Sequence, residues 1–411
     1  MDRGRITTAA VRTGRAGGDR MRLVPVDGDD PRAVLRGLRG AVLGAGPAIA
    51  LGGAGGPGRA TGAADTPGDV PPGTAVIVTT SGSSGHPKSV VLSRSALTSS
   101  ALATADRIGD GAWLLALPAG YIAGAQVLVR SLVAGREPAI LAGRFTPAAF
   151  AAAAGAMASS EGGVAVPAYT SLVPAQLQTL LDAEDHGIRT GLARFEAVLV
   201  GGQALAPALA ERAAAAGVRI VRTYGSTETS GGCVYDGVPL AGVGVRIVDG
   251  EVRLSGPTLA EGYLGEPERT AAAFGRDADG VRWYATGDAG AFDGMLRLTG
   301  RIDNVIVSGG VNVSLDRVER AVRAVEGLDA AVVAAAADDR WGEAAVVVVT
   351  ETALAGRDRA ALLEHVRARV GAELGAPARP RGILVVPEMP MLPSGKPDRP
   401  AIAAAVRDSG V

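Results

Sequence analysis

Lys88 and Lys396 are the only lysines of a 411-residue chain that holds 41 lysine and arginine residues in all. Both lie in loops rich in Gly, Pro and Ser, at SGHPKS and at LPSGKPDR. Because arginine serves at every other basic position, we expect lysine where a planar guanidinium cannot replace a compact, flexible ammonium. The alternative is that both are ordinary surface lysines. The two positions are therefore candidates for chemistry on an anion.

The first lysine ends a Ser/Gly-rich segment, TTSGSSGHPK, that separates two apolar runs, which predicts strand, loop, strand. Glycines let the backbone approach a bulky anion, and neighbouring hydroxyls add hydrogen-bond donors. The segment is not a Walker A loop, because His86 and Pro87 separate its last glycine from the lysine. A surface hairpin turn is the alternative. The candidates for binding a polyphosphate are Thr80, Ser81, Gly82, Ser83, Ser84, Gly85 and Lys88.

A second polar segment, TYGSTET (223–229), follows a predicted strand at the kind of edge where α/β sheets bind ligands. The hydroxyl of Thr227 suits a phosphate oxygen, the carboxylate of Glu228 suits Mg²⁺, and the ring of Tyr224 suits a nucleotide base. A polar turn without a ligand is an equally good interpretation of this segment alone.

A third segment, YATGD, places Asp288 in a predicted tight turn. An exposed Asp in such a turn is commonly a solvated residue that bonds its own backbone. A binding role for Asp288 therefore needs support from other residues.

The elements around these motifs alternate between α and β, as in a parallel sheet covered by helices. The predicted helices are Asp30–Leu43, Ser93–Arg107, Gly120–Val133, Thr146–Met157, Ser171–Asp182, Pro207–Ala216 and Arg359–Glu373. The predicted strands are Trp113–Leu117, Pro138–Leu141, Val164–Pro167, Ala197–Val200, Val218–Arg222, Ala331–Ala335, Ala345–Val349 and Ile383–Val386. Short β-rich pieces fill residues 242–298, which predicts a small barrel or bent sheet. After it, VIVSGGVNVSLDRVERAVRAV predicts a strand, a Gly-Gly turn and a helix.

Length and composition limit the class of protein. A chain of this length exceeds one ordinary domain, and we expect a disordered extension over 1–20, a large domain over 21–302 and a small domain over 303–411. A net charge of −1 argues against binding nucleic acid by bulk charge. The single cysteine, Cys233, fits a reducing compartment. No signal peptide and no apolar run of membrane-spanning length is evident, so we expect a cytoplasmic protein. The sequence does not determine the oligomeric state, and a homodimer is one of the alternatives.

Five motifs in one order, TSGSSGHPK, YGSTE, YATGD, GRIDNVIVSGG and LPSGK, resemble those of the adenylate-forming acyl- and aryl-CoA synthetase superfamily. The resemblance covers about residues 75 to 400. It implies an α/β fold with a large N-terminal domain of sheets covered by helices plus a small barrel-like β part, and a smaller, mobile C-terminal α/β domain. It also implies an acid–thiol ligase that uses ATP, Mg²⁺ and coenzyme A and releases AMP and pyrophosphate.

Four further segments are similar to the actinobacterial o-succinylbenzoate–CoA ligases of menaquinone (vitamin K2) biosynthesis. They are LPAGYIAGAQVLVRSLVAG (117–135), SLVPAQLQTLL (171–181), VLVGGQAL (198–205) and TSGGCVYDGVPL (229–240). Another aryl- or short-acyl-CoA ligase, an adenylation domain that loads a carrier protein, and a catalytically silent nucleotide-binding protein are the alternatives. The candidates for binding the second carboxylate of o-succinylbenzoate are Ser230, Arg222 and Ser255.

The resemblance implies a role for individual residues. The catalytic residues would be Lys396, Thr227 and Glu228, with Glu228 also the metal ligand. Besides the phosphate loop, the ATP site would include Gly201, Gly202, Gln203, Thr223, Tyr224, Gly225, Ser226, Thr227, Asp288 and Arg301. The acyl pocket would include Tyr121, Gly201, Ser230 and Gly231. Asp303 would be the hinge of the small domain, and Gly309 and Gly310 would enter the site when CoA reacts.

Three positions depart from the superfamily pattern. Ser89 stands where a glycine often follows the loop lysine, Tyr121 stands where a histidine is common, and Val311 stands where a glutamate often follows the Gly-Gly turn. The second change bears on the acyl pocket, and the third bears on the contacts with CoA.

Overall fold

A computed structural model describes residues 21–44, 46–52, 69–80, 87–157, 160–392 and 394–411. The predicted disorder of residues 1–20 lies outside the described part. So do Ser81, Gly82, Ser83, Ser84 and Gly85 of the predicted phosphate loop, so their roles stay predictions.

The N-terminal part of the chain contains β1 to β20 and α1 to α8. Its strands are β1 (Met21–Asp27), β2 (Ala48–Gly52), β3 (Asp69–Val70), β4 (Thr74–Thr80), β5 (Lys88–Ser93), β6 (Ala112–Leu115), β7 (Ala139–Ile140), β8 (Ser160–Glu161), β9 (Val164–Ala165), β10 (Ala168–Leu172), β11 (Ala197–Val200), β12 (Ile220–Ser226), β13 (Gly231–Tyr235), β14 (Val238–Pro239), β15 (Gly244–Val248), β16 (Glu251–Ser255), β17 (Gly262–Tyr263), β18 (Phe274–Arg276), β19 (Arg282–Phe292) and β20 (Leu296–Arg301). Its helices are α1 (Pro31–Leu43), α2 (Arg94–Ile108), α3 (Ile122–Val133), α4 (Pro147–Gly155), α5 (Pro174–Leu181), α6 (His186–Leu192), α7 (Pro207–Ala215) and α8 (Pro267–Ala273).

Two sheets carry the fold of this part. The first has the order β17-β5-β4-β2-β1-β3, and the second has the order β14-β13-β12-β11-β10-β6-β7. In the second sheet the neighbouring strands β7, β6, β10, β11 and β12 run parallel, whereas β13 and β14 are added by antiparallel pairing. Two of these parallel strands, β6 and β11, consist entirely of buried apolar residues, as expected for a sheet covered on both faces. Their carboxyl ends meet at one edge.

A third, antiparallel sheet is built around the long strand β19. Strands β16, β18 and β20 pair with β19, and β15 pairs with β16. Gly287 adopts a positive φ of 71° in the middle of β19, and the pairing with β20 shifts register after Ala289. The predicted tight turn at Asp288 is therefore wrong, because a bulge lets the strand continue and Asp288 pairs with Arg301.

The C-terminal part has its own sheet and core. Its elements are β21 (Val305–Ser308), β22 (Val311–Ser314), α9 (Leu315–Arg323), β23 (Val332–Asp338), β24 (Gly342–Thr350), α10 (Glu351–Leu354), α11 (Arg359–Leu374), β25 (Gly382–Val386) and α12 (Arg399–Ser409). Helices α9 and α11 cover one face of the sheet, and Ile402 and Val406 of α12 cover the other. The predicted α/β fold class with a smaller C-terminal domain is confirmed, and the boundary at residue 303 stays a prediction.

Several predicted elements need correction. Residues 168–172 form the central strand β10, although the sequence predicted a strand at Val164–Pro167 and a helix from Ser171. Pro174 disfavours a helical conformation at the residue before it, so α5 begins only at the proline. Thr223 to Ser226 continue β12 instead of forming a loop, and residues 311–314 form β22 before α9 begins.

Other predictions are confirmed. Ser93 caps α2, with its Oγ accepting a hydrogen bond from the Ala96 amide. Lys88 opens β5 directly across from Thr80, which ends β4, as the strand, loop, strand pattern predicted. No helix in the described ranges has both the length and the apolarity needed to cross a membrane.

Candidate active site

The site is built at the edge where β10 and β11 end and beyond which β12 continues from Thr223 to Ser226. Val173 follows β10, Gly201 to Gln203 follow β11, and Thr227 follows β12. Gly201 packs against β12 so closely that a Cβ atom there would lie 2.3 Å from Oγ1 of Thr223. Parallel strands therefore bring together, from segments far apart in sequence, the residues predicted to surround the nucleotide.

A single 3₁₀ turn, Thr227–Thr229, presents the predicted catalytic residues. The Oγ1 atom of Thr229 accepts from the Ser226 amide at 2.8 Å and donates to the Gly231 carbonyl at 2.7 Å. The carbonyl of Glu228 accepts from the Ala260 amide at 2.8 Å. These three hydrogen bonds fix the turn, so the orientation of Thr227 and Glu228 is set by the backbone around them.

The carboxylate of Glu228 is buried and has two partners. Nζ of Lys88 lies 3.4 Å from its Oε1, and the hydroxyl of Tyr263 donates to the same oxygen at 3.0 Å. Burial and the nearby charge of Glu228 raise the pKa of Tyr263, so the phenol stays a neutral donor. One predicted phosphate ligand, Lys88, thus lies beside the predicted metal ligand.

Asp288 lies in a second cluster of charged side chains. Strand β12 connects the two clusters, because it carries Tyr224 and leads into the turn that carries Glu228. The hydroxyl of Tyr224 donates to its Oδ2 at 2.6 Å, and Nη1 of Arg301 lies 3.3 Å from its Oδ1. Burial raises the pKa of the Asp288 carboxyl, while Tyr224 and Arg301 oppose that rise. The same Arg301 binds Asp303 with two hydrogen bonds of 2.8 and 2.9 Å, which lower the pKa of Asp303. One guanidinium therefore connects Asp288, which was predicted to bind ATP, to the predicted hinge, Asp303.

Lys396 reaches this edge from the C-terminal domain. Its side chain is exposed to solvent as a whole, and its stem lies along Gly202, where a Cβ atom would be only 3.3 Å from its Cε. Desolvation by the surrounding protein lowers the pKa of its ammonium, and the negative charges of Glu228 and Asp288 oppose that change. Both lysines of the chain thus interact with Glu228, and Lys396 also interacts with Asp288.

Three of the predicted acyl-pocket residues, Tyr121, Ser230 and Gly231, belong to the start of α3 and to the segment after the 3₁₀ turn. Tyr121 stands at the N-cap position of α3 without a side-chain capping bond, and a Cβ atom at Gly231 would lie 3.9 Å from Cγ1 of the next residue, Ile122. Ser230 is fully buried in a left-handed conformation, and its hydroxyl donates to the Thr258 carbonyl at 2.8 Å. This hydroxyl is therefore already engaged within the protein. Arg222, another candidate for the second carboxylate, pairs with Asp236 at 3.3 Å.

The Gly309–Gly310 turn packs against Trp341 of the small domain. Both glycines have positive φ, which suits the two-residue turn between β21 and β22. The Gly309 amide donates to the Trp341 carbonyl at 2.8 Å, and a Cβ atom at this position would overlap the Trp341 ring. The role predicted for this turn in the CoA step stays a prediction.

Sequence reasoning missed two contacts of the site. Tyr263 was not among the candidates, although the segment EGYLGEPE places an aromatic residue in a Gly-rich turn just before a helix. Gln203 was predicted to border the nucleotide, but the partner of its side chain, the Gly395 carbonyl at 3.0 Å, lies 192 residues away and has no local signal.

Two family models match this chain. The AMP-binding enzyme family matches residues 37–264, and the AMP-binding enzyme C-terminal domain matches residues 317–396. The chain belongs to the AMP-binding enzyme family, and the predicted membership of the adenylate-forming superfamily is confirmed.

Individual relatives point to a narrower group. A probable 2-succinylbenzoate–CoA ligase of Mycobacterium tuberculosis is 39% identical over 338 residues, which are 80% of this chain and 83% of that protein. An Escherichia coli MenE variant solved with bound OSB-AMS is similar in structure, with a TM-score of 0.65 and 28% identity over 82% of this chain and 69% of that one. The amide bond synthetase McbA of Marinactinospora thermotolerans is also similar, with a TM-score of 0.69 and 28% identity over 88% and 76%.

Replacement of Tyr263 by Phe should weaken the response to Mg²⁺. The variant loses a hydroxyl that orients the carboxylate of Glu228, and removing such a supporting donor commonly weakens metal binding about tenfold or more. We expect the Mg²⁺ concentration for half-maximal adenylate formation to rise about tenfold. Tyr169→Phe is the matched control, because that buried hydroxyl donates to the Ile108 carbonyl, remote from Glu228. An equal Mg²⁺ requirement in both variants would contradict the assignment.

Proposed function

We propose that this chain is a 2-succinylbenzoate–CoA ligase of menaquinone biosynthesis. It joins the acid to coenzyme A with ATP and releases AMP and pyrophosphate. The 39% identical relative, aligned over most of both chains, is the single observation that carries the choice of acid. The likeness to MenE with bound OSB-AMS supports the same choice.

In the first half-reaction a carboxylate oxygen of the acid bonds to the α-phosphorus of ATP, and the bond from that phosphorus to pyrophosphate breaks. Two anions must approach each other, so positive charge has to be oriented where they meet. Lys396 supplies it from the C-terminal domain, beside both the α-phosphate and the attacking oxygen. Thr227 donates its hydroxyl to the α-phosphate.

Glu228 would hold Mg²⁺. In the described part of the chain no three His, Cys, Asp or Glu side chains gather into a metal site, which suits an ion held by one carboxylate together with substrate phosphates. When bound, Mg²⁺ supplies charge that neutralises the phosphate oxygens. Lys88 leaves Glu228 for the β- and γ-phosphates, together with Thr80 and the loop Ser81 to Gly85.

The nucleoside is held by the remaining ATP residues. Asp288 accepts from the ribose hydroxyls, and Arg301 fixes Asp288. Tyr224 lies against the adenine, which also borders Gly201, Gly202 and Gln203, while Thr223, Gly225 and Ser226 shape the strand beneath it. The acid itself extends toward Tyr121, Gly201 and Gly231, with the Ser230 backbone closing the pocket.

In the second half-reaction the sulfur of CoA bonds to the acyl carbon, and AMP leaves. The small domain turns about Asp303, withdraws Lys396 and brings Gly309 and Gly310 to the site. The amide bond synthetase among the structural neighbours uses a related fold, so the choice of CoA rests on the named ligases and not on the fold alone. Another aryl- or short-acyl-CoA ligase is the alternative.

The reaction takes place in the cytoplasm in this proposal, in line with a single buried cysteine whose thiol pKa is raised to about 12 by burial. The site as described uses residues of one copy of the chain. A homodimer is a separate proposal, which light scattering of the purified protein tests.

The substrate is tested by AMP release with CoA present, comparing o-succinylbenzoate with benzoate, an aliphatic dicarboxylate and medium-chain fatty acids. We expect selective turnover of o-succinylbenzoate. Preference for another acid would overturn the substrate and keep the chemistry, whereas no turnover with any acid would favour a silent nucleotide-binding protein.

Lys396→Ala should separate the two half-reactions. Removing preorganised charge from a developing transition state commonly lowers the rate on the order of 10²-fold or more, so we expect a loss of this size in adenylate formation. Thioester formation from supplied acyl-adenylate should fall far less, because the lysine has then left the site. Adenylate formation at the normal rate in the variant would contradict the role of Lys396.

The pH dependence of the first half-reaction should report Lys396. The reaction needs the protonated ammonium, whose pKa in the free enzyme is lowered, so kcat/KM should fall as pH rises through a value below the ordinary 10.5 of lysine. The pKa values of Tyr224, Tyr263 and Tyr284 are raised, so these phenols stay neutral over that range. A decline that begins only at or above 10.5, or one shared with the second half-reaction, would contradict the assignment.

A further inference from the structure

Gln203 makes a polar contact between the two domains inside the site. Its Nε2 donates to the Gly395 carbonyl at 3.0 Å, directly before the catalytic lysine in sequence. Gln203 follows β11 of the large domain, whereas Gly395 belongs to the loop that leads into α12 of the small domain. The bond therefore forms only when the small domain lies over the end of the parallel sheet.

The acceptor belongs to a stiff unit, which we call the Lys396 hairpin (residues 391–397, of which Pro393 lies outside the described part). The Leu392 amide donates to the Lys396 carbonyl at 2.7 Å, and the Gly395 amide donates back to the Leu392 carbonyl at 2.9 Å. Gly395 has a φ of 77°, a conformation that favours glycine. Fixing the Gly395 carbonyl therefore fixes the direction in which Lys396 leaves the backbone.

Two other close approaches between the hairpin and this edge involve carbon atoms. A Cβ atom at Gly395 would lie 3.1 Å from Cγ2 of Val173, and one at Gly202 would lie 3.3 Å from Cε of Lys396. Van der Waals contacts of this kind are weakly directional, whereas a hydrogen bond specifies both distance and angle. Gln203 thus supplies a directional contact between the hairpin and the end of β11.

We infer that Gln203 is a positioning residue that docks the Lys396 hairpin for adenylate formation. This inference rests on the proposed function, because it acts through the role of Lys396 in the first half-reaction. It assigns to the amide side chain a task separate from bordering the nucleotide. When the small domain turns for the second half-reaction, the bond to Gly395 breaks and Gln203 no longer contributes.

Gln203→Met tests the inference, because methionine keeps the length of the side chain and removes its N–H donor. A hydrogen bond of this kind contributes about 0.5–1.5 kcal/mol, so we expect adenylate formation, measured by pyrophosphate exchange into ATP, to fall about 2- to 13-fold in kcat. The fall in kcat should exceed any rise in the KM for ATP, and thioester formation from supplied adenylate should fall far less. Gln178→Met on α5 is the matched control for the loss of a glutamine outside the site.

A double-mutant cycle separates docking from direct contact with the nucleotide. If Gln203 acts by placing Lys396, Gln203→Met should cause no further loss in the Lys396→Ala background. The same loss in both backgrounds, or an effect confined to the KM for ATP, would overturn the inference.

A measurement without substrate keeps this inference distinct from the choice of acid. Undocking should expose the hairpin, so hydrogen–deuterium exchange of the peptide that spans residues 391–397 should be faster in Gln203→Met than in the wild type and in Gln178→Met. Equal exchange in all three proteins would overturn the inference. Absence of wild-type turnover with o-succinylbenzoate would instead count against the proposed substrate and leave this measurement standing.

Discussion

In the proposed mechanism, the small domain brings a positive charge, the ammonium of Lys396, to the edge of the parallel sheet in the large domain. Desolvation lowers the pKa of Lys396, and the charges of Glu228 and Asp288 make the ammonium tolerable there. Each of these carboxylates is in turn held by a tyrosine hydroxyl, that of Tyr263 or Tyr224. Tyrosine hydroxyls of the large domain therefore hold the two carboxylates, and the small domain contributes the ammonium of Lys396.

Arg301 extends this constraint to the connection between the domains. It binds Asp288 in the site and Asp303 at the predicted hinge, and its own amide donates to Asp316 at the start of α9 at 2.7 Å. A change at the predicted hinge would therefore act on Arg301, the residue that also holds Asp288. This connection gives a physical route by which nucleotide binding and the position of the small domain can influence each other.

Much of the site could be predicted from the sequence because its residues lie in short motifs beside Gly-rich turns. Glu228, Asp288 and both lysines were identified in this way, and the structure gathers all four. The backbone around them was predicted less well. Thr223 to Ser226 are polar and contain glycine, so they resemble a loop, yet pairing with β13 makes them a strand. Asp288 was predicted to lie in a turn, because the bulge near Gly287 can be recognised only from the pairing of β19 with its neighbouring strands.

Contacts between distant segments could not be predicted at all. Nothing near Gln203 in sequence indicates Gly395, and nothing near Glu228 indicates Tyr263, since each pair forms only once the sheets and the small domain are assembled. Short strands such as β10 were also misplaced, because a buried apolar strand followed by a proline resembles the start of a helix.

The most direct test of this account is a crystal structure of the protein with ATP, Mg²⁺ and o-succinylbenzoate bound, using a slow variant or a stable mimic of the acyl-adenylate. We predict that Nζ of Lys396 lies within hydrogen-bond distance of an α-phosphate oxygen, while Glu228 contacts the metal and Asp288 contacts the ribose. A complex in which the nucleotide occupies this edge but Lys396 points into solvent would contradict the central claim.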